Sequence, residues 1–423
     1  MNVLLVTPFF YPMIGGVALH LVNLCKMFHK KNVNLFVLNS SFSNNKNIFN
    51  VIDKKISSKK ELTFKIVNFI PYFIIIFWRL ITDKRTKLIE RLKIILYLIL
   101  HPIKLIHLIV NVMNTLPVCK KIKFDLILAG SANYPFKISY ILSRIFNKKV
   151  ITLAHGNDFL VKTELSLDTN FIKNCDGIIT SNNITTNLVQ KIHHINRNKI
   201  KIIHYGLILD DFEVKESKEE LRHEFNIPND EFVIICVGMH RPRKKFDLVI
   251  KAIKLIKDSN PNIKIKCFLI GIGTETNNLK KIVKELNISN CINFLGEIED
   301  IKRNKYYKLS DIFIMPSVKL KGSIEGFGIV FLEANYYNLP TIGANSGGVI
   351  EAIQNNKSGL LVKSNDVNDL KEKILYLYYN EDIRKKMGKY GYIRVINSYN
   401  WDHIINDYIS YFEDVIQGEN SLT

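Results

Sequence analysis

Glu325 and Glu333 stand eight positions apart in the run EGFGIVFLE, with Gly326 and Gly328 just behind the first carboxylate. The preceding DIFIMPS (311–317) reads as a buried strand entering a polar loop. Such a loop at the carboxyl end of a strand is where doubly wound domains place ligands. The glycines let backbone amides approach a ligand without a side chain in the way. A helix beginning near Phe327 would aim unpaired N–H groups at an anion, so the amides of Phe327, Gly328 and Ile329 suit a phosphate. Glu333, a turn further in, suits ribose hydroxyls, and Glu325 a second polyol. Together they describe a pocket for a nucleotide sugar. The plainer alternative makes Glu325 a partner of the helix dipole and Glu333 a solvated helix residue.

These residues need a frame to hold them. MNVLLV, NVNLFVL, FDLILAG, KKVITLAH, GIITSN and IKIIHYG are short β-rich runs separated by helical or polar segments. FVIICVG, IKIKCFLIG, CINFLG, DIFIMPS, PTIGA and GLLV repeat the alternation after about residue 230. Strands interleaved with helices call for parallel sheets with crossover helices. At 423 residues the chain is long for one core, so two doubly wound domains are expected, joined by the polar stretch ILDDFEVKESKEELRHEF. The final segment from Asp382 to Gln417 is helical in pattern, with Trp401 near its middle.

Composition narrows the class further. The 47% apolar content is that of a globular chain. Six scattered cysteines with no CxxC pair predict reduced, buried thiols in a cytosolic protein, without a disulfide frame or zinc site. The opening MNVLLVTPFFYP has no basic region ahead of its apolar run and reads as a first core strand, not a signal peptide.

The net charge of +20 is unevenly placed. Residues 1–205 carry 29 Lys and Arg against 9 Asp and Glu, whereas residues 206–423 carry 30 of each. One half therefore faces something negative. The charge peaks at residues 43–123, which also hold the apolar stretches FIPYFIIIFWRL (69–80) and IILYLILHPIKLIHLIVNVM (94–113). Pro71, Arg79, His101, Pro102, Lys104 and His107 interrupt them too often for membrane spans. Beyond Pro102, Lys104, His107, Asn111 and Asn114 recur on one helical face, with Leu105, Ile106, Leu108, Ile109 and Val112 opposite. Such a helix can lie in an anionic bilayer surface; the alternative is a greasy helical insert packed in its own domain. A nucleic-acid partner is not expected, because the basic residues show neither aromatic interleaving nor a recognition-helix pattern.

The ordered series GGVALHLVNL (15–24), YGLILDDF (205–212), LIGIGTETNNL (269–279), INFLG (292–296), DIFIMPS, EGFGIVFLEAN, NLPTIGANSGGVIEAI and SGLLV resembles the retaining GT-B glycosyltransferases with an E-x7-E motif (family 4, glycosyl transferases group 1). The resemblance spans nearly the whole chain and is strongest from Gly206 to Trp401. It implies two Rossmann-like domains facing a central cleft: an acceptor domain over 1–205 with the basic apolar insert at about 43–120, a nucleotide-sugar domain over 206–395, and a C-terminal helix in 396–423 returning to the first.

The resemblance also assigns roles. Gly15 and Gly16 would close over the phosphates, and His155 in AHGNDF (154–159) would face the transferred sugar, with Asp158 bracing its loop; a histidine after a strand can equally be structural. In VGMHRPRKKFDLVIKA (237–252), Met239 stands where the family has an arginine, Lys244 matches its lysine, and Lys245 replaces its glycine. Arg241 and Arg243 could supply the cation that Met239 cannot, against a diphosphate leaving group. Glu325 and His155 would serve the sugar in catalysis, while Glu333, Lys244 and the amides of Phe327, Gly328 and Ile329 bind the rest of the donor. No D-x-D occurs, so no catalytic metal or cofactor is expected.

The implied reaction is transfer from a UDP- or GDP-linked sugar, with retention of configuration. The implied acceptor is a lipid-linked glycan in the synthesis of a surface polysaccharide such as O-antigen, capsule or lipopolysaccharide. The enzyme would then be cytoplasmic and peripheral on the inner face of the cytoplasmic membrane. A sugar-nucleotide epimerase or a phosphorylase could use the same architecture.

Overall fold

The computed structural model describes residues 1–7, 16–39, 48–50, 102–132, 134–156 and 172–418. The chain divides into two units, Met1–Ile203 with Ile405–Thr423, and His204–Ile404. Each has its own parallel sheet and core.

In the first unit the described strands are β1 (Asn2–Thr7), β2 (Asn34–Asn39), β3 (Ile48–Asn50), β4 (Leu126–Ala129), β5 (Lys149–Ala154), β6 (Gly177–Thr180) and β7 (Ile200–Ile202). Their order is β3-β2-β1-β4-β5-β6-β7. All pairs are parallel except β2 with β3. Strands β1, β4, β5 and β6 are buried along nearly their whole length, as in a sheet covered on both faces. Helix α1 (Gly16–Lys30) follows the first strand and buries Leu21, Leu24 and Phe28.

Helix α2 (Pro102–Cys119) precedes β4 and packs against α3 (Tyr134–Ile145). Its Leu108, Val112, Met113 and Leu116 lie within the core of this unit. This corrects the expectation that Leu108 and Val112 face a lipid surface: their three- and four-residue spacing serves an internal helix contact. The apolar stretch 69–80 and residues 94–101 lie outside the described residues. Among the described residues no helix is long and apolar enough to cross a membrane.

Two more helices concern this unit. The first, α4 (Asn183–His193), follows β6. The other is the last in the chain, and its residues from Ile405 onward belong here. Tyr408 and Phe412 set their rings 6.4 and 5.6 Å from Phe28. Gly177 opens β6 where a side chain would sit 2.4 Å from the Tyr411 hydroxyl.

The second unit contains β8 (Phe232–Val237), β9 (Ile265–Ile270), β10 (Ile292–Gly296), β11 (Ile312–Met315), β12 (Thr341–Ala344) and β13 (Gly359–Val362), in the order β10-β9-β8-β11-β12-β13. Every pair is parallel. The surrounding helices are α5 (Lys218–Glu224), α6 (Phe246–Ser259), α7 (Thr276–Glu285), α8 (Asp300–Leu309), α9 (Val330–Tyr336), α10 (Val349–Ala352), α11 (Val367–Tyr379) and α12 (Glu381–Ser398). The final helix is α13 (Trp401–Gln417), so the segment from Asp382 to Gln417 is helical in two pieces with Trp401 at their junction, near its middle. Trp401 is fully buried, and its N–H donates to the carbonyl of Leu207, whose own N–H donates to Tyr399.

Several helices stop at an asparagine in the left-handed conformation: Asn32, Asn147, Asn226, Asn287 and Asn338 all have φ between 52° and 57°. Asparagine tolerates that conformation where glycine is absent. The Asn-rich composition therefore has a structural use at helix ends.

The stretch 208–225, expected as a joint, belongs to the second unit. Ser217 caps α5 in a reciprocal capping box with Glu220. Behind it, Asp311 accepts from Lys218 Nζ at 2.6 Å, Arg222 Nη2 at 2.7 Å and the N–H of Val233 at 2.7 Å. Arg222, itself buried, also donates to the carbonyls of Leu309, Asn229 and Glu231. One carboxylate thus ties α5 and the amino ends of β8 and β11 together. Burial pushes the Asp311 carboxyl up, but Lys218 and Arg222 outweigh it and hold it below its ordinary 3.8.

Asp311→Ala is expected to destabilise the second unit by about 3–5 kcal/mol, because Arg222 is left buried without its counter-charge. Since folding lowers this pKa, the wild-type contribution is full above about pH 4 and declines as pH falls further. Urea unfolding of both proteins at pH 7 and pH 3 checks this; the gap between them narrows at the lower pH.

Candidate functional site

The strand order of the second unit reverses between β8 and β11, so the loops leaving their carboxyl ends diverge around one point. Doubly wound sheets bind ligands in that crevice. The loop after β8 carries Arg241, Arg243 and Lys244; the loop after β11 carries Glu325, Phe327, Gly328 and Ile329. The loops are fitted to their neighbours by glycine. A side chain at Gly271, after β9, would lie 2.3 Å from the carbonyl oxygen of Gly238. One at Gly348, after β12, would lie 2.0 Å from that of Gly326. The N–H of Gly348 donates to the carbonyl of Glu325 at 2.9 Å, fixing the loop that presents the first carboxylate.

Glu325 is largely buried with its two cations. Its Oε2 accepts from Arg243 Nη1 and, at 2.5 Å, from Lys244 Nζ, with the Ser317 hydroxyl 3.4 Å away. Lys244 Nζ also lies 3.1 Å from Met315 Sδ. Burial pushes the Glu325 carboxyl up, but Lys244 and Arg243 more than reverse this and bring it down to about 2. Burial in turn lowers the Lys244 pKa, Glu325 opposing the shift. The carboxylate is therefore ionised at physiological pH and can only accept hydrogen bonds. Its second oxygen, Oε1, takes no bond among the described residues.

Glu333 repeats the arrangement more deeply. It is 3% exposed, and its Oε2 accepts from the Tyr307 hydroxyl at 2.9 Å with Arg303 Nε 3.7 Å away. Its Oε1 also takes no bond among the described residues, yet it is not sealed from solvent. Each carboxylate thus spends one oxygen on the protein and keeps the other for something else. The reading of Glu333 as a solvated helix residue is excluded by its burial.

The helix between them is shorter than expected. It begins at Val330, not near Phe327, because the Phe327 ring is buried against Tyr205 and Tyr399, and Gly328 takes φ +88°. A side chain at Gly328 would also meet the Phe331 ring at 2.8 Å. The N–H groups of Phe327, Gly328, Ile329 and Val330 nevertheless donate to no acceptor among the described residues. They form a run of available donors before the helix.

The departures at the loop after β8 are resolved residue by residue. Arg243 meets Glu325, whereas Arg241 is exposed and touches neither carboxylate. Met239 is 39% exposed. Lys245 takes the left-handed φ of 56° and ψ of 38°, a conformation a glycine adopts without strain. Tyr307 and Arg303 were missed from the sequence. Four residues apart on α8, they share a face, but nothing in their spacing tied that face to Glu333.

In the first unit, His155 follows β5 and its Nε2 lies 2.9 Å from the carbonyl oxygen of Gly130. The ring of His20 stands 5.9 Å away, edge to face, and its Nε2 is 3.2 Å from the Tyr408 hydroxyl. Gly16 opens α1 with open space where a side chain would be. Gly15 and Asp158 lie outside the described residues. All six cysteines are free and buried.

Comparison with known proteins is consistent with this geometry. Residues 217–394 match the family described as glycosyl transferases group 1. The chain is 26% identical over 277 residues to the N-acetyl-alpha-D-glucosaminyl L-malate synthase of Bacillus anthracis, covering 64% of this chain and 70% of that one. It is 28% identical over 189 residues to the GDP-mannose-dependent alpha-(1-6)-phosphatidylinositol monomannoside mannosyltransferase of Mycobacterium tuberculosis (strain H37Rv), covering 44% of this chain. That match spans 48%, about half, of the mycobacterial protein. The structure of Anabaena HepE in complex with UDP-glucose superposes with a TM-score of 0.69 at 16% identity, covering 98% of this chain and all of that one. The two parallel-sheet units match the GT-B fold, and the matches support a glycosyl transferase of group 1.

Proposed function

We propose that this chain is a retaining glycosyltransferase that takes its sugar from a nucleoside diphosphate donor, linked to uridine or guanosine, without a divalent metal or other cofactor. The observation that carries the reading is the pair of carboxylates, each with one oxygen held by the protein and one available, on either side of four available amides and beside two cations. Glu333 Oε1 suits the ribose, and Glu325 Oε1 the transferred sugar. Arg243, Lys244 and the amides suit the diphosphate, whose charge grows as it leaves.

In the proposed reaction the bond from the anomeric carbon to the diphosphate oxygen breaks. The acceptor hydroxyl forms the new glycosidic bond from the same face and gives its proton to the leaving phosphate oxygen. The protein then contributes position and fixed charge more than a strong nucleophile. The sugar-facing role that the resemblance gives His155 belongs to this reading.

The proposed acceptor is a lipid-linked glycan of a surface polysaccharide, met at the inner face of the cytoplasmic membrane. Its support is the charge of the first half, 29 Lys and Arg against 9 Asp and Glu, and the basic apolar run upstream of α2. A soluble acceptor needs neither.

Lys244→Ala and Glu333→Gln are each expected to weaken UDP or GDP binding about 10- to 100-fold, since each removes a hydrogen bond to or from a charged group. Calorimetric titration checks this, with circular dichroism to show that the fold is kept; unchanged affinity in both variants would remove the pocket assignment.

Transfer activity is expected to survive EDTA. Loss restored by manganese or magnesium would show that a metal, not Arg243 and Lys244, carries the diphosphate charge.

The protein should co-sediment with anionic vesicles and release as salt rises, at about 1 kcal/mol per surface Lys or Arg. Neutralising Lys84, Arg85, Lys87, Arg91 and Lys93 together should abolish the effect. A wild-type protein that stays in the supernatant at low salt overturns the membrane proposal.

A further inference from the structure

Glu333 is held by groups that do not belong to the loops around it. The Tyr307 hydroxyl reaches it from α8, 26 residues earlier in the chain. Tyr307 is fully buried and has no freedom of its own. Its ring stacks on Tyr337 at 5.8 Å with 10° between planes and stands 6.0 Å from Phe313. Tyr337 is anchored in turn, its hydroxyl donating to the carbonyl of Phe212. Arg303, one turn before Tyr307, brings a positive charge to the same carboxylate oxygen.

A glutamate side chain otherwise has three rotatable bonds, and either oxygen can turn toward a ligand. Here the Tyr307 hydrogen bond fixes which oxygen is used. The remaining oxygen of a carboxylate presents acceptor sites and no donor. Its partner must then supply hydroxyl donors at a set place, as the vicinal hydroxyls of a ribose do. A charged acceptor with no donor opposite it is costly to leave unpaired, so a sugar lacking the hydroxyl is rejected.

We propose that Tyr307, assisted by Arg303, is the positioning residue that makes this site select ribonucleotides over deoxyribonucleotides. The proposal rests on the nucleotide reading of the same pocket. Both residues act through Glu333 and need not touch the donor themselves. Burial raises the Tyr307 pKa, with Glu333 adding to the shift, which keeps the phenol protonated as the donor this role requires.

The test is calorimetric titration of the full chain with UDP, GDP, their 2′-deoxy forms and the corresponding monophosphates. The wild-type protein should bind the better ribonucleoside diphosphate about 10-fold or more tightly than its 2′-deoxy form, the factor that 1.4 kcal/mol represents. Tyr307→Phe, which keeps the ring and its packing, should bring that ratio to within about 3-fold. The diphosphate-to-monophosphate ratio should stay as in the wild type, because Arg243, Lys244 and the amides are unaltered. A purely structural role would instead lower all affinities together and leave the ribose ratio alone.

An unchanged ribose ratio in folded Tyr307→Phe overturns the proposal. If that variant does not fold, Arg303→Met at its partly exposed position reads the same ratio, and no change there overturns it as well. A wild-type protein that binds diphosphates but ignores the 2′-hydroxyl also overturns it while leaving the diphosphate site standing. Failure of the wild-type protein to bind any of these nucleotides removes the nucleotide reading itself, and the proposal with it.

Discussion

A carboxylate buried with two cations at the carboxyl ends of β8 and β11 is the constraint around which the second unit is arranged. Charges taken out of water are tolerated only when they are paired and hydrogen-bonded. Arg243 and Lys244 therefore need Glu325, and Glu325 needs them. That requirement places the loop after β8 against the loop after β11, at the point where the sheet reverses direction. The group of three carries one net positive charge, next to four backbone amides with no acceptor among the described residues. A diphosphate has the charge and the oxygens that such a place lacks. Because Glu325 titrates near 2, the arrangement does not change over the physiological pH range.

The opposite end of the same sheet solves the same problem for a different purpose. Asp311 also gathers one lysine and one arginine, but each donor nitrogen there meets a carboxylate or a backbone carbonyl. A fully satisfied network rigidifies, whereas one with an available acceptor and available donors can bind. The contrast separates these two ion clusters more sharply than the burial of their carboxylates does, since the Asp311 and Glu325 side chains are 10% and 11% exposed. Asp311 holds the amino ends of the strands still, so that the loops at their carboxyl ends can be defined.

Much of this was legible in the residues themselves. Twelve apolar runs correspond to strands because parallel strands covered on both faces have no polar alternation to hide them. The short β3 had no such run. The acidic pair, the lysine and the glycines stood out by type and spacing, and the structure brings Glu325 and Lys244 together. The start of α9 did not, because the buried Phe327 ring and the positive φ of Gly328 delay the helix by three residues, and both depend on tertiary neighbours. The choice between Arg241 and Arg243 was equally invisible: two arginines two residues apart in a turn differ only in which way the turn faces. Leu108 and Val112 illustrate the converse, since an apolar helical stripe reads the same whether it covers a bilayer or another helix.

The residues of the loop after β8 that depart from the pattern of the resemblance show how local geometry accommodates an unusual side chain. Lys245 occupies a left-handed position that costs a side chain about 1–2 kcal/mol, and it does so at the N-terminus of α6. The chain tolerates that conformation at asparagines after several helices, but here a lysine bears it, so the turn is held by its surroundings. Lys244 and Arg243 in their shared contact with Glu325 are the evident restraint, because releasing the turn would strand three buried charges. Met239 brings no cation to this turn, whereas Arg243 and Lys244 bring two through their contact with one carboxylate. More than one side chain in a six-residue turn can supply a positive charge, provided the anion that organises them stays in place.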